Sequence, residues 1–388
     1  MTTDLQGRPL RMAMVGGGQG SFIGPVHKMG ASIGAGIELV AGVFNGDRER
    51  SLASARNFGV SADRCYADAA EMFAAEAARE DGIDMVAIAT PNHLHLPIAL
   101  AAIEAGVHIM SDKPATATLA EALRLRDALA GGDVLYALTY SYSAYPMIRE
   151  ARARVAAGAI GTVRKVVVTY HQGWMSKPLE AGDPRAAWRT DPGKSGVGGA
   201  SADIGVHAFH LAEFVSGQRV TELVADARGL VPGRALDDDC NVLLRFAEGQ
   251  AGVLVVSQVA FGEGNGISIK IYGDAGALHW TFEQADALIH ARADGSVETV
   301  KAMSPGILVR TPLPIGMGVG LIAPFAVLYR DFDAAIRGDT TRIGTVLPGI
   351  EEGVRGMCFI ERVAQNNAAG NGWSVLETPG ETAKEVAA

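Results

Sequence analysis

The hydrophobic positions of this chain change rhythm part-way along. Up to about residue 138, short apolar, β-rich runs fall at 12–15, 38–44, 83–89, 107–110 and 134–138. Segments with helical periodicity lie between them, at 27–34, 47–58, 68–79, 94–105 and 119–130. Apolar strands alternating with helices predict a parallel sheet covered on both faces. One more helix is predicted over 145–157, ending at Gly158. Strand patterns then dominate, at 163–170, 220–228, 241–246, 251–260, 267–273, 277–281 and 287–291, joined by turns such as Glu248-Gly249 and Gly273-Asp274. Two helices, 324–337 and 350–368, close the pattern. The expected fold class is α/β: a doubly wound parallel Rossmann sheet over 1–140, then an α+β domain over 141–388 with a large, mainly antiparallel, open-faced sheet.

Composition narrows the function classes. With 388 residues, 48% of them hydrophobic and 20% charged, the chain is globular and long enough for two domains. A net charge of −9 argues against a nucleic-acid partner. Cys65, Cys240 and Cys358 are far apart and form no CxxC pair, which suits a reducing cytoplasm. The N-terminus is too polar before its first strand for a secretion signal. The most apolar stretch, 306–328, contains Arg310 and three prolines, so no membrane span is expected.

The first strand runs into Gly16-Gly17-Gly18-Gln19-Gly20-Ser21, followed by Phe22 and Ile23 at the start of a helix. Strand, glycine turn and helix form a cradle for a dinucleotide pyrophosphate. Gly16 and Gly18 fill the first two glycine positions of the usual fingerprint. Ser21 occupies the third, so Gly20 or Gly24 must replace it. The acid expected at the end of the second strand, where it would bind an unphosphorylated ribose, is replaced by Asn45. Arg48 and Arg50 follow and would attract a 2′-phosphate, so NAD and NADP both remain open. Asp47 suits a helix cap.

Two further stretches carry a resemblance. They are IATPNHLHLPIALAAIEAGVHIMSDKP, residues 88–114, and GGASADIGVH, residues 198–207, which follows a Trp188-Arg189 step. The chain resembles the Gfo/Idh/MocA family, the glucose–fructose oxidoreductase and inositol dehydrogenase group, over essentially its whole length. The resemblance implies that Thr90, Pro91, Asn92 and His95 pass beside a nicotinamide. It matches Lys113, preceded by Asp112, to the lysine of the family's (Glu/Asp)-Lys-Pro motif. It matches Asp203 and His207 to an Asp-x-x-x-His motif. A Gly-His-Pro-Glu-Gly run found in close relatives reads Gly316-Met317-Gly318-Val319-Gly320 here, so no relative's substrate transfers directly.

These residue types suit oxidation of a secondary alcohol, which sends a hydride to nicotinamide C4 and a proton to a base. His207 is the natural base and Asp203, one turn earlier, would orient it or bind a neighbouring hydroxyl. Lys113 would donate to the alkoxide, and Pro114 suggests a fixed, cis-capable turn. His210 adds a third polar group to this helix. No second His/Glu pair completes a ligand set, so no metal is expected. Tyr142, His171, Trp174, Trp188, Arg189 and Lys194 are candidates to line a sugar pocket by stacking and hydroxyl readout. Arg189 and Lys194 would also suit an anionic substituent. The expected function is an NAD(P)-dependent oxidoreductase of a sugar, glycoside or cyclitol, as a homo-oligomer. The alternatives are an NAD-dependent glycosidase working by transient oxidation and elimination, and a non-catalytic nucleotide-sensing protein.

Overall fold

The computed structural model describes residues 7–304, 306–309, 320–370 and 372–381. In chain order the first elements are β1 Arg11–Gly16, α1 Ile23–Ala35, β2 Glu38–Val43, α2 Arg48–Phe58, α3 Ala69–Ala77, β3 Met85–Ala89, α4 His95–Glu104, β4 His108–Ser111, α5 Leu119–Leu129 and β5 Tyr136–Leu138. There follow α6 Pro146–Ala156, β6 Val163–His171, α7 Pro184–Arg189, α8 Pro192–Ser195, α9 Val206–Ser216, β7 Val220–Arg228, β8 Asp239–Phe246, β9 Ala251–Ser257, β10 Gly266–Gly273, β11 Gly276–Thr281, β12 Ala287–Arg292 and β13 Val297–Lys301. The last are α10 Ile322–Ile336, α11 Ile350–Ala368 and the two-residue β14 Ser374–Val375. Among the described residues no helix is long and apolar enough to cross a membrane.

The chain divides into two compact units. The first takes in the residues up to Thr116, Ala120–Ala144 and Gly320–Val354. Its five strands are all parallel, in the order β2-β1-β3-β4-β5. β3 is buried at every position, as expected for a sheet covered on both faces. This unit differs from the expected division at 140, because residues 320–354 join it. The reason lies in α1, whose Gly30 and Gly34 bring α10 to backbone contact. A Cβ on Gly30 would lie 2.6 Å from the Phe325 Cβ, and one on Gly34 only 2.1 Å from the Ala326 carbonyl oxygen. Phe325, Leu328, Tyr329 and Phe332 then complete the core of this unit beside Met12, Met14 and Phe44.

The second unit takes in Ala117–Leu119, Tyr145–Val319 and the chain from Arg355. Its nine strands run β13-β12-β11-β10-β6-β9-β8-β7-β14. Every pairing is antiparallel except one: β6 and β9 lie parallel. β8 shows the alternation of a half-covered sheet, with Cys240, Val242, Leu244 and Phe246 buried and Leu243 50% exposed on the other face. β13 and β14 form the sheet edges and extend the strands expected from the sequence.

The helix expected from the 198–214 segment is in two parts. A π turn, Ser201–Gly205, precedes α9. Such turns widen a helix at one point and often occur where side chains have chemical work.

Candidate active site

The first unit builds a cradle at the carboxyl end of β1. Gly16, Gly17 and Gly20 take positive φ of 83°, 68° and 89°, which side chains disfavour. A Cβ on Gly16 would lie 2.3 Å from the Ala89 carbonyl oxygen, and one on Gly18 2.3 Å from that of Phe44. The turn is therefore wedged between the ends of β3 and β2. The third glycine is Gly24, which the sequence left in competition with Gly20. A Cβ on Gly24 would meet the Gly17 carbonyl oxygen at 1.8 Å, whereas Gly20 has open space around it. Gly24 thus seats α1 on the turn.

The Gln19 amide donates to Ser54 Oγ at 2.9 Å, and the Ile23 amide to Ser21 Oγ at 3.2 Å. α2 and α3 are capped by the carboxylates of Asp47 and Asp68, but Phe22, at the start of α1, provides no side-chain cap. Gln19, Gly20 and Phe22 are exposed at this mouth. A backbone cradle at an uncapped helix N-terminus fits a dinucleotide pyrophosphate. Thr90 Oγ1, beside Gly16, is buried with no hydrogen-bond partner among the described residues, which also fits a polar ligand at this edge.

At the end of β2 the Asn45 side-chain oxygen accepts from the Asp47 amide at 2.9 Å. Arg48 and Arg50 are both exposed, and Arg48 also donates to the Cys65 carbonyl.

The Lys113 turn is held from both sides. Its peptide bond to Pro114 is cis, and Lys113 is half-buried. His95, which the resemblance placed beside the nicotinamide, is buried. Its Nδ1 lies 2.9 Å from the Pro114 carbonyl and its Nε2 2.9 Å from the Thr90 carbonyl. His95 therefore ties the Thr90 turn to the lysine turn. Burial lowers its pKa, outweighing the opposing pull of those carbonyls.

Asp112 points inward. Its Oδ1 accepts from Thr139 Oγ1 at 2.8 Å and lies 3.2 Å from His27 Nε2, while His27 Nδ1 is 2.6 Å from the Tyr329 hydroxyl. Burial pushes the Asp112 carboxyl up, but the facing His27 and the hydrogen bonds win and hold it below the ordinary aspartate value. Pro91 is half-buried and Asn92 buried. Tyr142, expected in the sugar pocket, is buried within this first unit at 4% exposure.

The second unit builds a polar network around Asp203. Asp203 Oδ2 accepts from Arg189 Nε at 3.1 Å and from Gln258 Nε2 at 2.8 Å. Gln258 Nε2 lies 3.4 Å from Gln172 Oε1, which also accepts from Trp174 Nε1 at 3.0 Å. Gln172 Nε2 donates to Asn265 Oδ1 at 2.9 Å, and so does the Tyr170 hydroxyl at 2.7 Å. The Tyr170 ring stands 6.3 Å from that of His207, which is buried at 7% exposure in the first turn of α9. The Arg189 guanidinium lies 4.3 Å from the Trp188 ring centre and 5.8 Å from that of Trp174.

Seven expected residues of this unit therefore have defined places. Asp203, Arg189, Trp174 and Trp188 share one network, and His207 joins it through Tyr170. His171, half-buried, ends the strand that leads into Gln172. Lys194 stands apart, its Nζ 3.2 Å from Asp191 and half exposed. His210 turns elsewhere, against Phe214 at 5.6 Å between ring centres. Among the described residues no group of three His, Cys, Asp or Glu is placed to hold a metal ion.

Sequence reasoning missed Tyr170, Gln172, Gln258 and Asn265. The visible signal was a glutamine just past each of two strands. It could not be used without the parallel register His171↔Ser257, which sets Gln172 beside Gln258. The Gly316–Val319 departure lies outside the described residues.

A parallel sheet with a glycine cradle at the end of its first strand is the construction of a nicotinamide-dependent oxidoreductase. Residues 10–140 match the oxidoreductase family model with an NAD-binding Rossmann fold, and residues 148–279 match the GFO/IDH/MocA C-terminal domain. The chain belongs to the Gfo/Idh/MocA family. It is 32% identical to the uncharacterized oxidoreductase YfiI of Bacillus subtilis, over 94% of this chain and 96% of that one. It is 28% identical to the levoglucosan dehydrogenase of Pseudarthrobacter phenanthrenivorans, over 80% of this chain and 88% of that enzyme. Among solved structures, an inositol dehydrogenase homolog from Azotobacter vinelandii in complex with NAD+ superposes with a TM-score of 0.89 at 33% identity, covering 95% of this chain and 98% of that one.

Proposed function

We propose that this enzyme oxidises a secondary hydroxyl of an uncharged sugar, glycoside or cyclitol, with Lys113, Asp203 and His207 as catalytic residues. The observation that carries the reading is the Asp203 carboxylate, fixed by Arg189 and Gln258 and flanked by amides and indoles. Amides and a held carboxylate read hydroxyl groups, and indole faces pack on the apolar face of a sugar ring. Arg185 and Arg189 are already matched, by Asp183 at 2.6 Å and by Asp203 at 3.1 Å, and Lys194, apart from the network, pairs with Asp191 at 3.2 Å. This favours a neutral substrate over the anionic one that Arg189 and Lys194 first suggested. The likeness to levoglucosan dehydrogenase and to the inositol dehydrogenase homolog points the same way.

When bound, the nicotinamide supplies the hydride acceptor. The residues around the Gly16–Gly24 turn would hold its pyrophosphate. His207 takes the hydroxyl proton, and Lys113 donates a hydrogen bond to the oxygen as charge builds on it. Asp203, held in place by its two donors, accepts from a neighbouring substrate hydroxyl and orients the ring. A panel of cyclitols, anhydrosugars, pentoses and glycosides, each with NAD+ and with NADP+, tests the reading by NAD(P)H absorbance and by glycoside cleavage. Cleavage without net cofactor reduction would replace it with the glycosidase. Lys113→Ala and His207→Ala should each lower turnover about 10²–10⁴-fold while cofactor binding survives. Near-native turnover in either variant sinks the assignment.

We further propose a cytoplasmic homo-oligomer formed through the open face of the nine-stranded sheet. The register Val224↔Leu243, Leu243↔Val253 and Val253↔Val167 lays four aliphatic residues side by side across that face. Such a stripe is costly to leave in water. A monomer mass in sedimentation at micromolar concentration would refute it.

A further inference from the structure

The Asp203 network depends on a pair of residues that lie far from it in sequence. Asp237 follows β7 and grips the start of the helical segment. Its Oδ1 accepts from the Gly199 amide at 2.7 Å and from Ser201 Oγ at 2.9 Å. Its Oδ2 accepts from the Ser201 amide at 2.7 Å, and its carbonyl oxygen accepts from the Ala200 amide at 2.7 Å. Three successive amides that a helix start would leave without partners are thus satisfied by one residue. The fit leaves no slack, since a Cβ on Gly199 would lie 2.0 Å from the Asp237 carbonyl oxygen. The Gly199 carbonyl in turn accepts from the Asp203 amide at 2.8 Å.

The neighbouring carbonyl completes the grip. The Asp238 oxygen accepts from the Gln258 amide at 2.8 Å, and the Gln258 side chain donates to Asp203 Oδ2. One dipeptide therefore fixes the Asp203 backbone from one side and its carboxylate from the other. We propose that Asp237 is a positioning residue of the active site, setting through residues 199–201 the π turn that aims Asp203 and His207. This rests on the reading of Asp203 and His207 as substrate-facing groups. Asp237 itself takes no part in the proton transfer.

Asp237→Asn keeps the size of the side chain, but its amide nitrogen would face a backbone N–H. Two readouts test the proposal. Amide hydrogen exchange across 199–207 should quicken tenfold or more, while exchange in β8 and β9 stays as in the native protein. With NAD+ and the best-used of myo-inositol, levoglucosan and D-xylose, kcat should fall at least tenfold, with KM for NAD+ within about threefold of native. If Asp237→Asn does not fold, Ser201→Ala removes one bond alone and should quicken exchange of the same segment at least threefold. Unchanged exchange, or native kcat despite faster exchange, overturns the proposal. Failure of the underlying reading shows separately, as native turnover in His207→Ala; the exchange measurement then decides alone whether Asp237 holds the turn.

Discussion

Replacing His210 with glutamine should make the protein less sensitive to acid. His210 lies three residues beyond His207 on the same helix, but packs against Phe214, with the Arg152 guanidinium 4.3 Å from the centre of that ring. Burial pushes its imidazole down to about 3, and the Arg152 charge adds a smaller push the same way. In the unfolded chain it titrates near 6.5. Between those values the unfolded state binds a proton that the folded state refuses. Stability is therefore complete above about pH 6.5 and is lost as the pH falls towards 3. Three and a half pH units at about 1.4 kcal/mol each give a ceiling of roughly 5 kcal/mol. The ring keeps some surface exposure, so water tempers the charge, and about half of that ceiling is expected. Urea unfolding of the native protein and of His210→Gln at pH 7, 6, 5 and 4 measures it. The two should lie within about 1 kcal/mol at pH 7 and diverge on acidification, the variant gaining about 2 kcal/mol on the native protein by pH 4. The difference cancels carboxylates such as Asp112, which titrate alike in both. Parallel pH dependences would refute the argument.

The cofactor cradle gives two further predictions. Gly18→Val places atoms where the Phe44 carbonyl stands, 2.3 Å from the Cβ position, and should weaken NAD+ binding at least tenfold; unchanged affinity in titration calorimetry would disprove the role of this turn. Asn45→Asp keeps an acceptor for the Asp47 amide and adds a charge that repels a 2′-phosphate, so the NAD+/NADP+ ratio of kcat/KM should rise tenfold or more. A native protein that already rejects NADP+ by several orders of magnitude would show that Asn45 is not the discriminating residue.

Much of the fold was legible because burial sets a strong period. The apolar run of β3 and the 19-residue α11 stand out at once, and the sequence-predicted 350–368 coincides with Ile350–Ala368. β13, Val297–Lys301, escaped because its Val-Glu-Thr-Val-Lys pattern mixes charges along a sheet edge. The membership of 320–354 in the first unit was not legible, since nothing local in α10 says that Gly30 and Gly34 are its partners. The site divided likewise. Lys113, Asp203 and His207 stand in recognisable strings. Gly24 and Asp237 are defined by carbonyl oxygens they approach or present, and backbone atoms leave no mark in a sequence. His95 and Asp112 sit in the expected motifs, yet their side chains face backbone carbonyls, Thr139 and His27.

The one parallel pairing of the nine-stranded sheet, β6 with β9, has a consequence for which side chains can change. It brings two strand ends out side by side, so that Gln172 and Gln258 form adjacent teeth of one comb. Their backbone amides are already engaged, by the carbonyls of Ser257 and Asp238. The ladder therefore asks nothing of either side chain. Substitution at these two positions would leave the sheet that carries them whole, so its effects would fall on the polar network around Asp203, with Gln172 the milder place to change because Gln258 is the one that donates to the carboxylate.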